Sequence, residues 1–131
     1  MTYSSSSYGI TFEGIIMQVS STGVSVVKNN VIRNISFTSL PVTSYSQLAI
    51  FTPIDIYGGR VDVIENTIGD ESTGSINVTV NVYSTKTAWN NGIYHAGEGN
   101  IIGNRIGSIS FAGTINYQCG FNAIEYVGTT I

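Results

Sequence analysis

Charge is what this chain has least of. Asp, Glu, Lys and Arg together make up 10% of its 131 residues, against roughly 25% in an average soluble protein. Solvent-facing helices draw on Glu, Lys, Gln and Ala, so a chain this poor in charge is badly supplied for them. The five basic residues, Lys28, Arg33, Arg60, Lys86 and Arg105, are scattered. They form no phosphate-binding stripe, which argues against a nucleic-acid partner. A single cysteine, Cys119, excludes an internal disulfide and reads as a small apolar residue in a packed strand. A single histidine, His95, has no Cys or Asp partner in view for a metal centre. No stretch approaches the ~20 apolar residues that cross a bilayer as a helix, so membrane insertion is not expected. The opening MTYSSSSYG lacks the basic start and apolar run of a secretory signal.

What is present is apolar and neutral-polar. Hydrophobic residues reach 42% and the mean hydropathy is +0.19, enough for one packed core over residues 1–131. Ser, Thr, Asn and Gly stand where charges usually do, a mixture that suits strands and turns.

A repeat organises them. VVKNNVIRNISF (26–37), DVIENTIGDEST (62–73) and NIIGNRIGSISF (100–111) align on Asn30, Asn66 and Asn104. Val27, Val63 and Ile101 stand three positions earlier, and Ile32, Ile68 and Ile106 two positions later. Five positions later the alignment reads Ile35, Glu71 and Ile109. A looser motif falls between copies as EGIIM, LAIFT, NGIYH and NAIEY. It sets Ile16, Phe51, Tyr94 and Glu125 in one column and Met17, Thr52, His95 and Tyr126 in the next. The second copy carries an insertion, assigned to residues 70–91.

Short alternating runs such as INVTVNVY have the period of half-buried strands, and no helical stripe persists. A propeller would need four or more such units to close. Stacked parallel strands fit better: an all-β fold, a parallel β-solenoid of about three to four coils. In it Asn30, Asn66 and Asn104 lie ~4.8 Å apart and bond amide to amide along the axis, at a corner whose left-handed backbone Asn tolerates. Asn66 is expected to be buried there.

These stretches, each leading to a GIY-like strand, resemble the right-handed parallel β-helix repeats of pectin-lyase-like proteins. More narrowly, they are similar to the β-helix repeats of large secreted and surface adhesins of Bacteroidota-type bacteria. The resemblance covers roughly residues 10–131 and implies the handedness, an extracellular or cell-surface location, and a longer parent protein from which any targeting signal would come.

The chemistry reads as sparse. Glycoside hydrolysis wants two carboxylates facing each other across the scissile bond, about 5–10 Å apart. Among the eight acids, Asp62 and Glu98 fall near corresponding places of adjacent coils, whereas Asp70 and Glu71 would splay apart. No Asp-rich repeat suggests calcium. No cofactor or metal is expected, and no catalytic residue is assigned. His95 is placed on a strand surface or rim. Phe51, Tyr94, Tyr126 and Trp89 are the candidates for stacking on sugar rings, although Phe51 and Tyr94 stacking on each other is the favoured account. The expected role is a non-catalytic structural or adhesive segment, its partners a glycan or another surface protein, with self-association end to end through uncapped coils. The alternative is a polysaccharide-processing or sugar-binding domain.

Overall fold

The computed structural model describes residues 11–39, 50–80, 88–113 and 119–128. Among them the chain is all-β, with no helix. The first pass of the chain makes β1 (Phe12–Gln18), β2 (Ser25–Lys28), β3 (Val31–Ile32) and β4 (Ile35–Thr38). The second makes β5 (Phe51–Gly58), β6 (Val61–Ile64), β7 (Thr67–Ile68) and β8 (Ile76–Thr79). The third makes β9 (Ala88–His95), β10 (Ile101–Ile102), β11 (Arg105–Ile106) and β12 (Ile109–Ala112), after which β13 (Cys119–Tyr126) begins a further one.

Each pass lays its strands beside those of the pass before, always parallel. The result is sheet A (β1-β5-β9-β13), sheet B (β2-β6-β10), sheet C (β3-β7-β11) and sheet D (β4-β8-β12). Parallel sheets need covered faces, and the covering comes from inward residues stacked pass upon pass. Val27–Val63–Ile101 and Ile32–Ile68–Ile106 are in register, as are Ile35–Ile76–Ile109 and Phe37–Val78–Phe111. The inward residues of the second pass are covered from both sides, with Ile54, Ile56, Val63 and Ile76 fully buried. Its neighbours Ile15, Ile32, Ile106 and Ile109 are only partly buried against it. One end of the core is aromatic: Phe12 stacks on Phe51 at 5.0 Å, and Phe111 meets Phe51 edge-on at 6.4 Å.

Two sequence alignments and the place of the left-handed corner residue are corrected. The partner of Ile35 and Ile109 is Ile76, not Glu71. Five residues separate Asn30 from Ile35 and Asn104 from Ile109, but ten separate Asn66 from Ile76. Extra chain therefore sits between β7 and β8, at the first part of the span 70–91; residues 81–87 of that span lie outside the described residues. The strand partner of Ile15 and Ile93 is Ile54. The columns accordingly read Ile16/Asp55/Tyr94/Glu125 and Met17/Ile56/His95/Tyr126, so Phe51 and Thr52 leave them and Phe51 pairs with Phe12. Finally, the left-handed residue of the corner precedes the Asn column. Asn29 (φ 58°), Glu65 (φ 52°) and Gly103 (φ 65°) hold it.

Candidate functional site

Two groups of polar side chains stand out, one along the axis and one on the outside of sheet A.

The axial group is built on Asn30, Asn66 and Asn104. Asn66 Oδ1 accepts from the Asn30 backbone N–H at 3.0 Å and from Asn30 Nδ2 at 2.9 Å. One pass on, Asn104 Oδ1 accepts from the Asn66 N–H and Nδ2, both at 2.9 Å. Asn66 Nδ2 also donates back to the Val27 carbonyl at 2.9 Å, and Asn104 Nδ2 to the Val63 carbonyl at 2.8 Å. Asn66 is 1% exposed. Every donor of this ladder points towards the later pass for the Asn–Asn bond, so the column has a direction. Asn90, fully buried, repeats the device in sheet A: its Oδ1 accepts from the Phe51 N–H at 3.1 Å and its Nδ2 donates to the Gly120 carbonyl at 3.2 Å. Asn90 carries no repeat signature, since Phe51 and Phe121 flank it in register.

The outer group centres on Asp55. The register brings Ile16, Asp55, Tyr94 and Glu125 into one row across four strands. Tyr57 shares the Asp55 face and donates its hydroxyl to Glu13 Oε1 at 3.0 Å. Asp55 is 5% exposed and its Oδ1 has no hydrogen-bond partner. Burial raises its carboxyl to about 6; the Tyr57 hydroxyl offsets part of that, and the Glu13 charge adds to it. Further along, Asn122 Nδ2 donates to Asn91 Oδ1 at 3.3 Å and to Glu125 Oε2 at 3.4 Å. None of β1, β5, β9 and β13 contains Lys or Arg. Such a face offers acceptors, hydroxyls and one carboxyl that keeps its proton up to about pH 6, and it repels anions.

The other sequence candidates are dispersed. Phe51 is fully buried between Phe12 and Phe111 and is closed to a sugar ring. Tyr94 is half-buried in the Asp55 row. Tyr126 lies over His95, ring centres 5.4 Å apart, and is 37% exposed at the end of its column. Trp89 belongs to β9 and Cys119 to β13, but their side chains lie outside the described residues. His95 is in the core rather than on a rim: it is fully buried, its Nε2 lies 2.8 Å from the Val61 carbonyl oxygen, and its Nδ1 has no partner. A carbonyl can only accept, so Nε2 carries the proton and donates it.

Asp62 and Glu98 are not register partners. Glu98 bridges to Arg60 in the backbone ladder, and Asp62 Oδ1 accepts from the Asn100 N–H at 2.9 Å and Nδ2 at 3.0 Å. Asp70 closes a turn by accepting from the Ser72 hydroxyl and backbone N–H, which lower its carboxyl. Glu71 is ion-paired to Arg105 at 2.6 Å in full solvent. Among the described residues, no three His, Cys, Asp or Glu come together to hold a metal ion, and no helix is long and apolar enough to cross a membrane. The Glu13–Asp55–Tyr57 group was hidden in the sequence because Glu13 and Asp55 are 42 positions apart and meet only through the corrected register.

Compared with protein-family models, curated proteins and solved structures, the chain matches none.

Proposed function

We propose that the chain is a segment of a right-handed parallel β-helix, three coils and the first strand of a fourth, of the pectin-lyase-like kind. Its role is non-catalytic: a structural or adhesive element of a secreted or cell-surface bacterial protein, with a glycan or another surface protein as partner and further coils adding at its ends. The observation that carries this reading is where the buried amides go. Asn66 and Asn90, the one 1% and the other 0% exposed, direct their hydrogen bonds to the coils before and after them. Buried polar groups satisfied in this way bind coil to coil and leave nothing for a substrate. The test is incubation with a panel of neutral and acidic glycans, read by reducing-end and unsaturated-product assays. No product is expected, and turnover would overturn the non-catalytic role.

A second reading, a polysaccharide-processing or sugar-binding domain, is favoured by Asp55 with Glu13 and Tyr57. A carboxyl raised to about 6 beside a second carboxylate is the kind of group that serves as a general acid. The same panel decides it. Turnover abolished by Asp55→Asn or Glu13→Gln would establish this alternative, on neutral glycans because the face lacks cations.

A further inference from the structure

β1 and β13 stand at opposite ends of sheet A, and they are chemically alike. Through the register, Phe121 corresponds to Phe12, Ile124 to Ile15 and Tyr126 to Met17. The inward positions of the last strand therefore repeat Phe and Ile from the first. They are also open: Phe121, Ile124 and Tyr126 are 37%, 46% and 37% exposed. Sheet A has four strands where sheets B, C and D have three. A second copy arriving on the late end in register, with its β2, β3 and β4 on β10, β11 and β12, would need its own β1 where β13 already lies.

The Asn ladder fixes which ends meet. At the late end Asn104 presents its backbone N–H, the group that in Asn30 and Asn66 donates to the next Oδ1, while its Nδ2 already donates to the Val63 and Ile102 carbonyls. At the early end Asn30 supplies the next Oδ1. Late against late sets donors on donors, and early against early sets acceptors on acceptors. Only late against early matches.

We infer that two copies of this chain join head to tail by strand replacement, β13 of one taking the place of β1 beneath β5 of the next. This rests on the end-to-end association of the proposed reading and specifies its contact. In sheet A the exchange is like for like, a Phe and an Ile for a Phe and an Ile. The gain comes from the other three sheets, where Ile101, Ile106 and Ile109 are covered and the Asn104 N–H finds its acceptor. The contact is heterologous and adds three coils per copy, so it gives an open series of oligomers rather than a closed dimer. One residue restrains it. Ala123 corresponds to Gly14, where a Cβ would stand 2.6 Å from the Pro53 carbonyl oxygen. The arriving strand must shift to fit, and its bulk sets the affinity.

The experiment uses the full chain, followed by light scattering and sedimentation across concentration, with circular dichroism to verify folding. Ala123→Gly removes the obstruction and is expected to strengthen association about tenfold or more. Ile124→Asp would carry a carboxylate beneath the next copy's Ile54 and is expected to weaken it at least about tenfold, while the exposed site leaves the monomer folded. A fluorescent peptide of residues 120–127 should bind the full chain in place of β1, and the same peptide with Ile124→Asp should not. Association that stops at a dimer, or that ignores both substitutions, would show that the ends meet but without strand replacement. A chain that stays monomeric even as Ala123→Gly, with no peptide bound, would overturn both the inference and the end-to-end reading beneath it.

Discussion

Replacing Asn66 by Ala should be the most damaging change in the Asn column, and its cost can be worked from the ladder. The side chain donates twice through Nδ2, to the Val27 carbonyl and to Asn104 Oδ1, and accepts twice at Oδ1 from Asn30. At about 1 kcal/mol net per bond the sum is about 4 kcal/mol, and water reaching the half-buried Asn30 reduces it to about 3. Asn30→Ala removes only the Nδ2 bonds to Asn66 Oδ1 and the Lys28 carbonyl, on an open flank, and should cost about 1 kcal/mol. Asn104→Ala removes two acceptances and two donations at a partly open end, and should fall between, at about 2 kcal/mol. Urea unfolding followed by circular dichroism gives the three values. Asn66→Asp supplies a check of a different kind. Its carboxylate would keep the Asn30 bonds but oppose Asn104 Oδ1, so this variant should recover stability as pH falls towards 4. Equal losses at Asn66 and Asn30, or a loss at Asn66 below about 1 kcal/mol, would refute the idea that the column binds the coils together.

Other outcomes follow from the same geometry. The folded chain holds the Asp55 proton more tightly than the unfolded one, with its carboxyl at about 6 against 3.8. Asp55 should thus add stability as pH falls from about 6 towards 4 and lose it as pH rises through 6. Asp55→Asn should flatten that dependence and stabilise at pH 8 by about 1–2 kcal/mol, less than the ~3 of the full displacement because the replacing amide is itself buried with few partners; destabilisation at pH 8 in thermal melts would contradict this. Glu65 holds φ 52°, so Glu65→Asn should raise stability by about 0.5–1 kcal/mol, since its 3.3 Å contact with Lys28 is exposed and weak. Gly69→Ala would set a Cβ 1.8 Å from the Gly107 carbonyl oxygen at φ 79°, and should cost more than about 3 kcal/mol in the same unfolding assay.

How much of this was legible in the sequence depended on what stacking repeats. The Asn column and its flanking Val and Ile could be read because each residue must match the one above it, so identity recurs at 36 and 38 positions. The sheet A strands were harder. IFT and IDI alternate equally well, and only the paired backbone shows that Ile54, not Ile50, continues Ile15 and Ile93. That slip carried Phe51 out to a supposed surface and left Asp55 out of the row it occupies. His95 was missed for a related reason. A polar residue in an inward column is bought by one carbonyl, that of Val61, and no local pattern announces it.

The turn between β7 and β8 has a consequence for how such a chain can vary. Five more residues lie there than in either neighbouring pass of the chain, yet Ile35, Ile76 and Ile109 remain in register. Strand pairing sets the core, and the outward excursion is free to lengthen without being felt by it. The exposed stretch 71–73 is therefore a graft site: a foreign loop inserted there would be displayed on a rigid base, and a gene could diversify this edge by insertion while its repeats stay constant.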